Sequence, residues 1–153
     1  AGELAIGYGI LPWPVGAAQA ACKHLFNEWL LRVGDGNTED RQIAQSITHF
    51  ITVHGDSRFS KMDTNNLNYE ISVNNRAGYY LVFGDKKLYL FNPSGLKEAT
   101  LGYSLERAIR TLETTGALIE SDKGRKTKQY RLPAGGRGRF FVIAPEKLEH
   151  EHL

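Results

Sequence analysis

The sequence predicts an α+β fold: a helical pair, a small antiparallel sheet and a winged-helix-like C-terminal half. Three observations carry this expectation. Apolar residues recur at three- and four-residue spacings between Ala17 and Ile51, the period of helices that bury one face. Aromatic and β-branched runs flank Gly84-Asp85-Lys86, as in a hairpin. From Tyr103 to Pro145 a helical pattern gives way to a glycine and then to short strand-like runs with basic residues between them, the order of helix and wing.

The first helix is read over Ala17 to Val33, with Ala18, Ala21, Cys22, Leu25, Phe26, Trp29 and Leu30 on one face. Gly34 supplies its stop. Asn37 or Thr38 caps the second, and Glu39 and Asp40 sit in its first turn, where the helix dipole favours anions. The buried stripe of that second helix is Ile43, Ala44, Ile47, Phe50 and Ile51, and Gly55 ends it. Residues 17–55 form the helical pair, packed as neighbours because the link is short.

Residues 56–147 form the winged-helix-like region. Asp56 to Asn75 is polar and Asn-rich, and Leu67, Tyr69, Ile71 and Val73 alternate as in one short strand. Tyr79 to Phe83 and Lys87 to Phe91 are the hairpin, followed by a helical turn through Leu96 to Ala99 that Gly102 breaks. Ser104 caps the third helix, whose core face is Leu105, Ala108, Ile109 and Leu112, with Gly116 as its end. Ala117 to Ser121 reads as a strand, Asp122-Lys123-Gly124-Arg125 as a turn and Lys126 to Leu132 as the returning strand. Gly135, Gly136 and Gly138 make a flexible loop before the apolar strand Phe140 to Ile143.

Composition narrows the function classes. A chain of 153 residues with one cysteine, Cys22, has no internal disulfide framework, which suggests a reducing, cytoplasmic setting. No run approaches the length of a membrane span. Net charge is only +2, but it is unevenly spread. Ser104 to Phe140 holds nine cations against Glu106, Glu113, Glu120 and Asp122, a local excess of +5 in a chain otherwise at −3. Such asymmetry is a footprint for a polyanion.

The candidate nucleic-acid contacts follow from that segment. The solvent face of the third helix is expected to present Arg107, Arg110, Thr111 and Thr114, and the wing Lys123, Arg125, Lys126, Lys128 and Arg131. These donors suit phosphates and base edges, and a glycine at the tip lets the backbone approach a phosphate. Cations in a hairpin turn also serve simply as solvated charge or as guards of a sheet edge. The alternative reading is therefore a protein-interaction or oligomerisation domain without nucleic-acid contact. The aromatic hairpin (Tyr79, Tyr80, Phe83, Tyr89, Phe91) offers stacking surfaces, against the plainer reading of these rings as core.

Catalytic, metal and cofactor sites are not expected. No glycine group ends in the Gly-Lys-Ser/Thr of a phosphate-binding loop. Cys22 and His24 lie two apart on a helix, and His49 and His54 five apart, so neither pair shares a ligand. His54, Asp56 and Ser57 are close in sequence only, and His150 and His152 belong to a polar tail over residues 148–153.

Several stretches carry a family likeness: AGELAIGYGILPWPVGAAQAAC, FNEWLLRVGDGNTED, HGDSRF, NNRAGYY, LERAIRTLETTGAL and the closing YRLP and FFVIAP. With these the chain resembles the C-terminal part of a phage- and plasmid-associated family of helicase or primase-helicase-like proteins, domain of unknown function nine hundred and twenty-seven. The resemblance implies that residues 1–16 are the end of an upstream ATPase core, which explains the apolar Leu4, Ile6, Tyr8, Ile10, Leu11 and Trp13 among glycines and prolines. It implies that the remainder is a DNA-binding accessory of a mobile-element replication motor, with that core as its partner and homo-oligomers formed through the parent protein. None of the family's ATPase motifs is present, so no catalytic residue carries over.

Overall fold

The computed structural model describes residues 14–62 and 72–149, without the side chains of residues 32–35 and 37. The fold is α+β. Its helices are α1 (Ala17–His54), α2 (Pro93–Ala99), α3 (Leu105–Thr114) and α4 (Glu146–Glu149). Its strands are β1 (Phe59–Lys61), β2 (Gly78–Phe83), β3 (Lys86–Phe91), β4 (Leu118–Glu120), β5 (Lys128–Arg131) and β6 (Arg137–Ile143). The chain divides into two compact units, Ala1–Glu39 and Asp40–Leu153.

The first unit corrects one expectation. Helical backbone continues through Gly34, Asp35, Gly36 and Asn37, so α1 is a single helix rather than a pair. A glycine costs about 1 kcal/mol in a helix interior, a penalty the flanking turns outweigh. Within this unit the apolar residues Leu25, Phe26, Trp29 and Leu30 are each about half exposed or more. Phe26 stacks on Trp29 at 5.8 Å, and His24 meets Glu28 one turn on. The reading of residues 1–16 as the end of another domain falls mainly on residues 1–13, outside the described residues. The strand-like alternation at Leu67, Tyr69 and Ile71 lies outside them as well.

In the second unit the sheet runs β1-β2-β3-β6-β4, with β5 also on β6. Only β1 and β2 pair in parallel; the other pairs are antiparallel. The predicted hairpin is β2 and β3, and Gly78 lies opposite Phe91 at its far end. Alternation along the strands gives the sheet two apolar faces. Phe59, Tyr89, Phe91, Phe141 and Ile143 pack with the stripe Ile43, Ala44, Ile47, Phe50 and Ile51 of α1, and with Leu96, Ala108, Leu112 and Leu148 of the other helices. The opposite face gathers Met62, Tyr79, Leu90 and Phe140, with Leu81, Tyr130 and Leu132 against them. Leu148 is 3% exposed. Residue 148 therefore belongs to α4 and the core, not to a polar tail.

Caps and one clamp close this unit. Asn92 accepts from Gly95 N at 2.6 Å and donates to Arg76 O at 2.8 Å, fixing the start of α2. Ser104 caps α3 by accepting from Arg107 N, and Gly116 follows its end at φ 69°. Arg58 donates both terminal nitrogens to Glu98, at 2.6 and 2.8 Å, and its Nε to Asn75 O, while it lies over the Phe50 ring. That bidentate geometry is the strong form of a carboxylate–guanidinium pair.

Gly78 is required by close approach. A Cβ on Gly78 would stand 1.8 Å from the carbonyl oxygen of Leu90, so β2 would have to leave β3. Gly78→Ala is expected to lower stability by about 2–3 kcal/mol, read as a reduced midpoint in urea unfolding; an unchanged midpoint would refute the close approach.

Candidate nucleic-acid interface

The basic segment folds differently from the predicted wing. β4 and β5 do not pair with each other. Both run antiparallel to β6, β4 against Val142 and Ile143 and β5 against Arg137 to Phe140. They form two pieces of one strand path, separated by an excursion over residues 121–127. The expected turn at Asp122 to Arg125 is the tip of that excursion, closed by Asp122 N to Thr127 O at 3.1 Å and Arg125 N to Asp122 O at 2.9 Å. The hairpin turn proper lies at Leu132 to Gly136, where Gly135 and Gly136 hold φ of 96° and 81°. The physical reason is competition for β6. Phe140 to Ile143 bury on both faces, and the strand paired to them must also bury Leu118, Tyr130 and Leu132.

Asp122 pins the excursion. Its Oδ2 accepts from Gln129 N at 3.2 Å and from the Arg139 guanidinium at 2.9 Å. Lys126 pairs with Glu113 on α3, and Lys128 with Glu120 on β4. These contacts hold the loop against the end of α3. They also commit Lys126, Lys128 and Arg139 to internal carboxylates.

The nine expected contact residues divide accordingly. Thr111 is 1% exposed and donates toward Asp40 of α1, at 2.8 Å, so it is not on a solvent face. Arg107 pairs with the same Asp40 oxygen at 2.9 Å. The half-buried Asp40 carboxylate accepts from both and so draws them toward α1 rather than to solvent. α3 thus presents outward Glu106, Arg110, Glu113 and Thr114, a face of mixed charge. Thr114 spends its hydroxyl proton on Arg110 O. Lys123, Arg125, Lys126 and Arg131 are exposed and Lys128 half-buried.

Strand register adds two residues. Along β5 and β6, Gln129 lies opposite Arg139 and Arg131 opposite Arg137. Odd-numbered positions share one hairpin face, while Tyr130, Leu132 and Phe140 turn to the apolar side. Arg131, Arg137 and Arg139 therefore form one arginine face, with Lys123 and Arg125 on the adjoining excursion. Like charges directly opposite on paired strands repel, and Arg131 and Arg137 have no ion partner among the described residues. Arg137 and Arg139 stood in the charge count but not among the expected contacts. The signal for them was the Gly135-Gly136 pair, which marks the true turn.

Across β5, Glu120 accepts from Lys128 and, at 3.1 Å, from the Tyr130 hydroxyl. The Lys128 hydrogen bond holds the Glu120 carboxyl below the usual glutamate range, and the Tyr130 bond adds to it. Burial first, and then the Glu120 charge, push the Tyr130 phenol up, so it remains a donor. Among the described residues no three His, Cys, Asp or Glu side chains converge as metal ligands, and no helix is long and apolar enough to cross a membrane. The chain matches no protein-family model, and no curated protein matches it.

Two outcomes are expected here. Asp40→Ala strips Thr111 and Arg107 of their shared acceptor and should cost about 1–3 kcal/mol; urea unfolding showing no loss would contradict the α1–α3 lock. Because the folded Glu120 carboxyl is held low, its contribution is complete above the unfolded value near 4.5 and is lost as pH falls through the folded value. The stability difference between the native chain and Glu120→Gln should accordingly shrink as pH falls below about 4.5. A difference independent of pH would remove the Lys128–Glu120–Tyr130 linkage.

Proposed function

We propose that this chain is a non-catalytic nucleic-acid-binding module, with DNA as its ligand, and that the β5–β6 hairpin and the 121–127 excursion carry the contact. One observation carries the reading: Arg110, Lys123, Arg125, Arg131 and Arg137 are exposed and have no ion partner among the described residues. Four of them lie on the hairpin and excursion, and Arg110 on the neighbouring helix. Cations left over after the internal carboxylates are matched are free to release counterions from a phosphate backbone. The mixed-charge outer face of α3, with Arg107 and Thr111 turned inward, argues against a base-reading helix and for backbone contact. The resemblance noted in the sequence extends the proposal to a role beside the ATPase core of a mobile-element replication helicase.

A second reading rests on the first unit. Leu25, Phe26, Trp29 and Leu30 leave an apolar stripe exposed on α1, the kind of surface that marks protein contact. A concentration-dependent mass without DNA affinity would favour it.

The test is fluorescence anisotropy on duplex and single-stranded DNA across a salt series. If about four phosphates are neutralised, the logarithm of affinity should fall against that of salt with a slope of about −3 to −4. Joint replacement Arg131→Ala and Arg137→Ala should weaken binding and reduce the slope by about 2. Absence of binding at low salt would sink the proposal.

A further inference from the structure

The sheet face turned away from the helices carries an open groove of 380 Å³. Its floor is apolar: Met62, Leu81, Leu88 and Phe83. Phe83 is 61% exposed and its neighbour Val82 47%; both lie beside the β2–β3 turn, Phe83 opposite Lys86, whereas Tyr79, Tyr89 and Phe91 further from the turn are core. One wall is polar and comes from the strand path beside β6: Glu120, Lys128 and Tyr130. Lys61 of β1 closes the groove from the other side.

We infer that this groove receives an unstacked, amino-bearing base of a single strand whose phosphates run along the arginine face of the same hairpin. The inference rests on the nucleic-acid reading above and names its substrate class. Three features support it. The groove pairs an exposed ring and an aliphatic floor with a hydrogen-bonding wall, and a nucleobase has the matching apolar faces and polar edge. The polar wall holds a carboxylate. Glu120 uses one oxygen for Lys128 and Tyr130, and a carboxylate offers about four acceptor positions in all, so it can still accept from an exocyclic amino group, as acidic side chains accept from cytosine N4. Lys61 flanks the site and complements the charge of the attached phosphate.

Continuity with the arginine face comes from β5. Among the described residues it pairs only with β6, so it is an edge of that pairing. Lys128 and Tyr130 point to the groove, and Gln129 and Arg131 to the arginine face. A single strand can therefore place phosphates on one side of β5 and turn a base over its edge into the groove. A duplex, whose bases are paired and stacked, reaches only the arginine face.

The experiment measures anisotropy of the whole chain with oligo(dC), oligo(dT) and a duplex of equal length. Oligo(dC) should bind more tightly than oligo(dT). Phe83→Ala, at an exposed position, should weaken both single strands by about tenfold and leave the duplex unchanged, and Glu120→Gln should erase the preference for oligo(dC). If Arg131→Ala with Arg137→Ala weakens every ligand while Phe83→Ala and Glu120→Gln change none, the groove inference is overturned and the nucleic-acid reading stands. If the native chain binds no oligonucleotide, both fall. A native chain whose mass rises with concentration, and whose Phe83→Ala variant stays monomeric with unchanged single-strand affinity, would make the groove a protein interface and likewise overturn the inference.

Discussion

The second unit depends on β6. This one strand pairs with β3 on one side and with both β4 and β5 on the other. Its side chains are needed on both faces: Phe141 and Ile143 toward the helices, Phe140 toward the opposite cluster. A strand buried on both faces has its register fixed, because a slip of one residue would exchange the two sets. Everything paired to β6 inherits that register, including the positions of Arg131, Arg137 and Arg139.

Given that frame, the carboxylates decide which cations remain available. Asp40 holds Arg107 and Thr111 against α1, Glu113 holds Lys126, Glu120 holds Lys128, and Asp122 holds Arg139. Exposed pairs of this kind contribute little to stability individually. Their larger consequence is geometric: they bind the excursion and α3 to the sheet and leave the unmatched arginines and lysine to one side of the hairpin. The bidentate Arg58–Glu98 pair does the equivalent for the segment after α1, tying it to α2.

The same ions link the two faces of the hairpin. Glu120, Lys128 and Tyr130 form a hydrogen-bonded group on the apolar side of β5, while Arg131 lies one residue further on the other side. Alternation along a single edge strand thus puts the proposed phosphate contacts on one face and the proposed base groove on the other. The outer face of α3, by contrast, is of mixed charge, with Glu106 and Glu113 beside Arg110.

The sequence by itself determined the α+β class, the core stripe Ile43 to Ile51, the β2–β3 hairpin, the caps at Ser104 and Gly116, and the apolar strand Phe140 to Ile143, because periodicity and turn chemistry are local properties. It also located the basic segment. Tertiary structure alone decided that helical backbone runs through Gly34, since a glycine's penalty is small against its context. It decided that Leu148 is core, that Thr111 faces Asp40, and that β4 and β5 share β6 instead of pairing with each other. The last three depend on partners distant in sequence, Asp40 standing 71 residues from Thr111, and no local pattern records which of several compatible partners a strand or a hydroxyl will find.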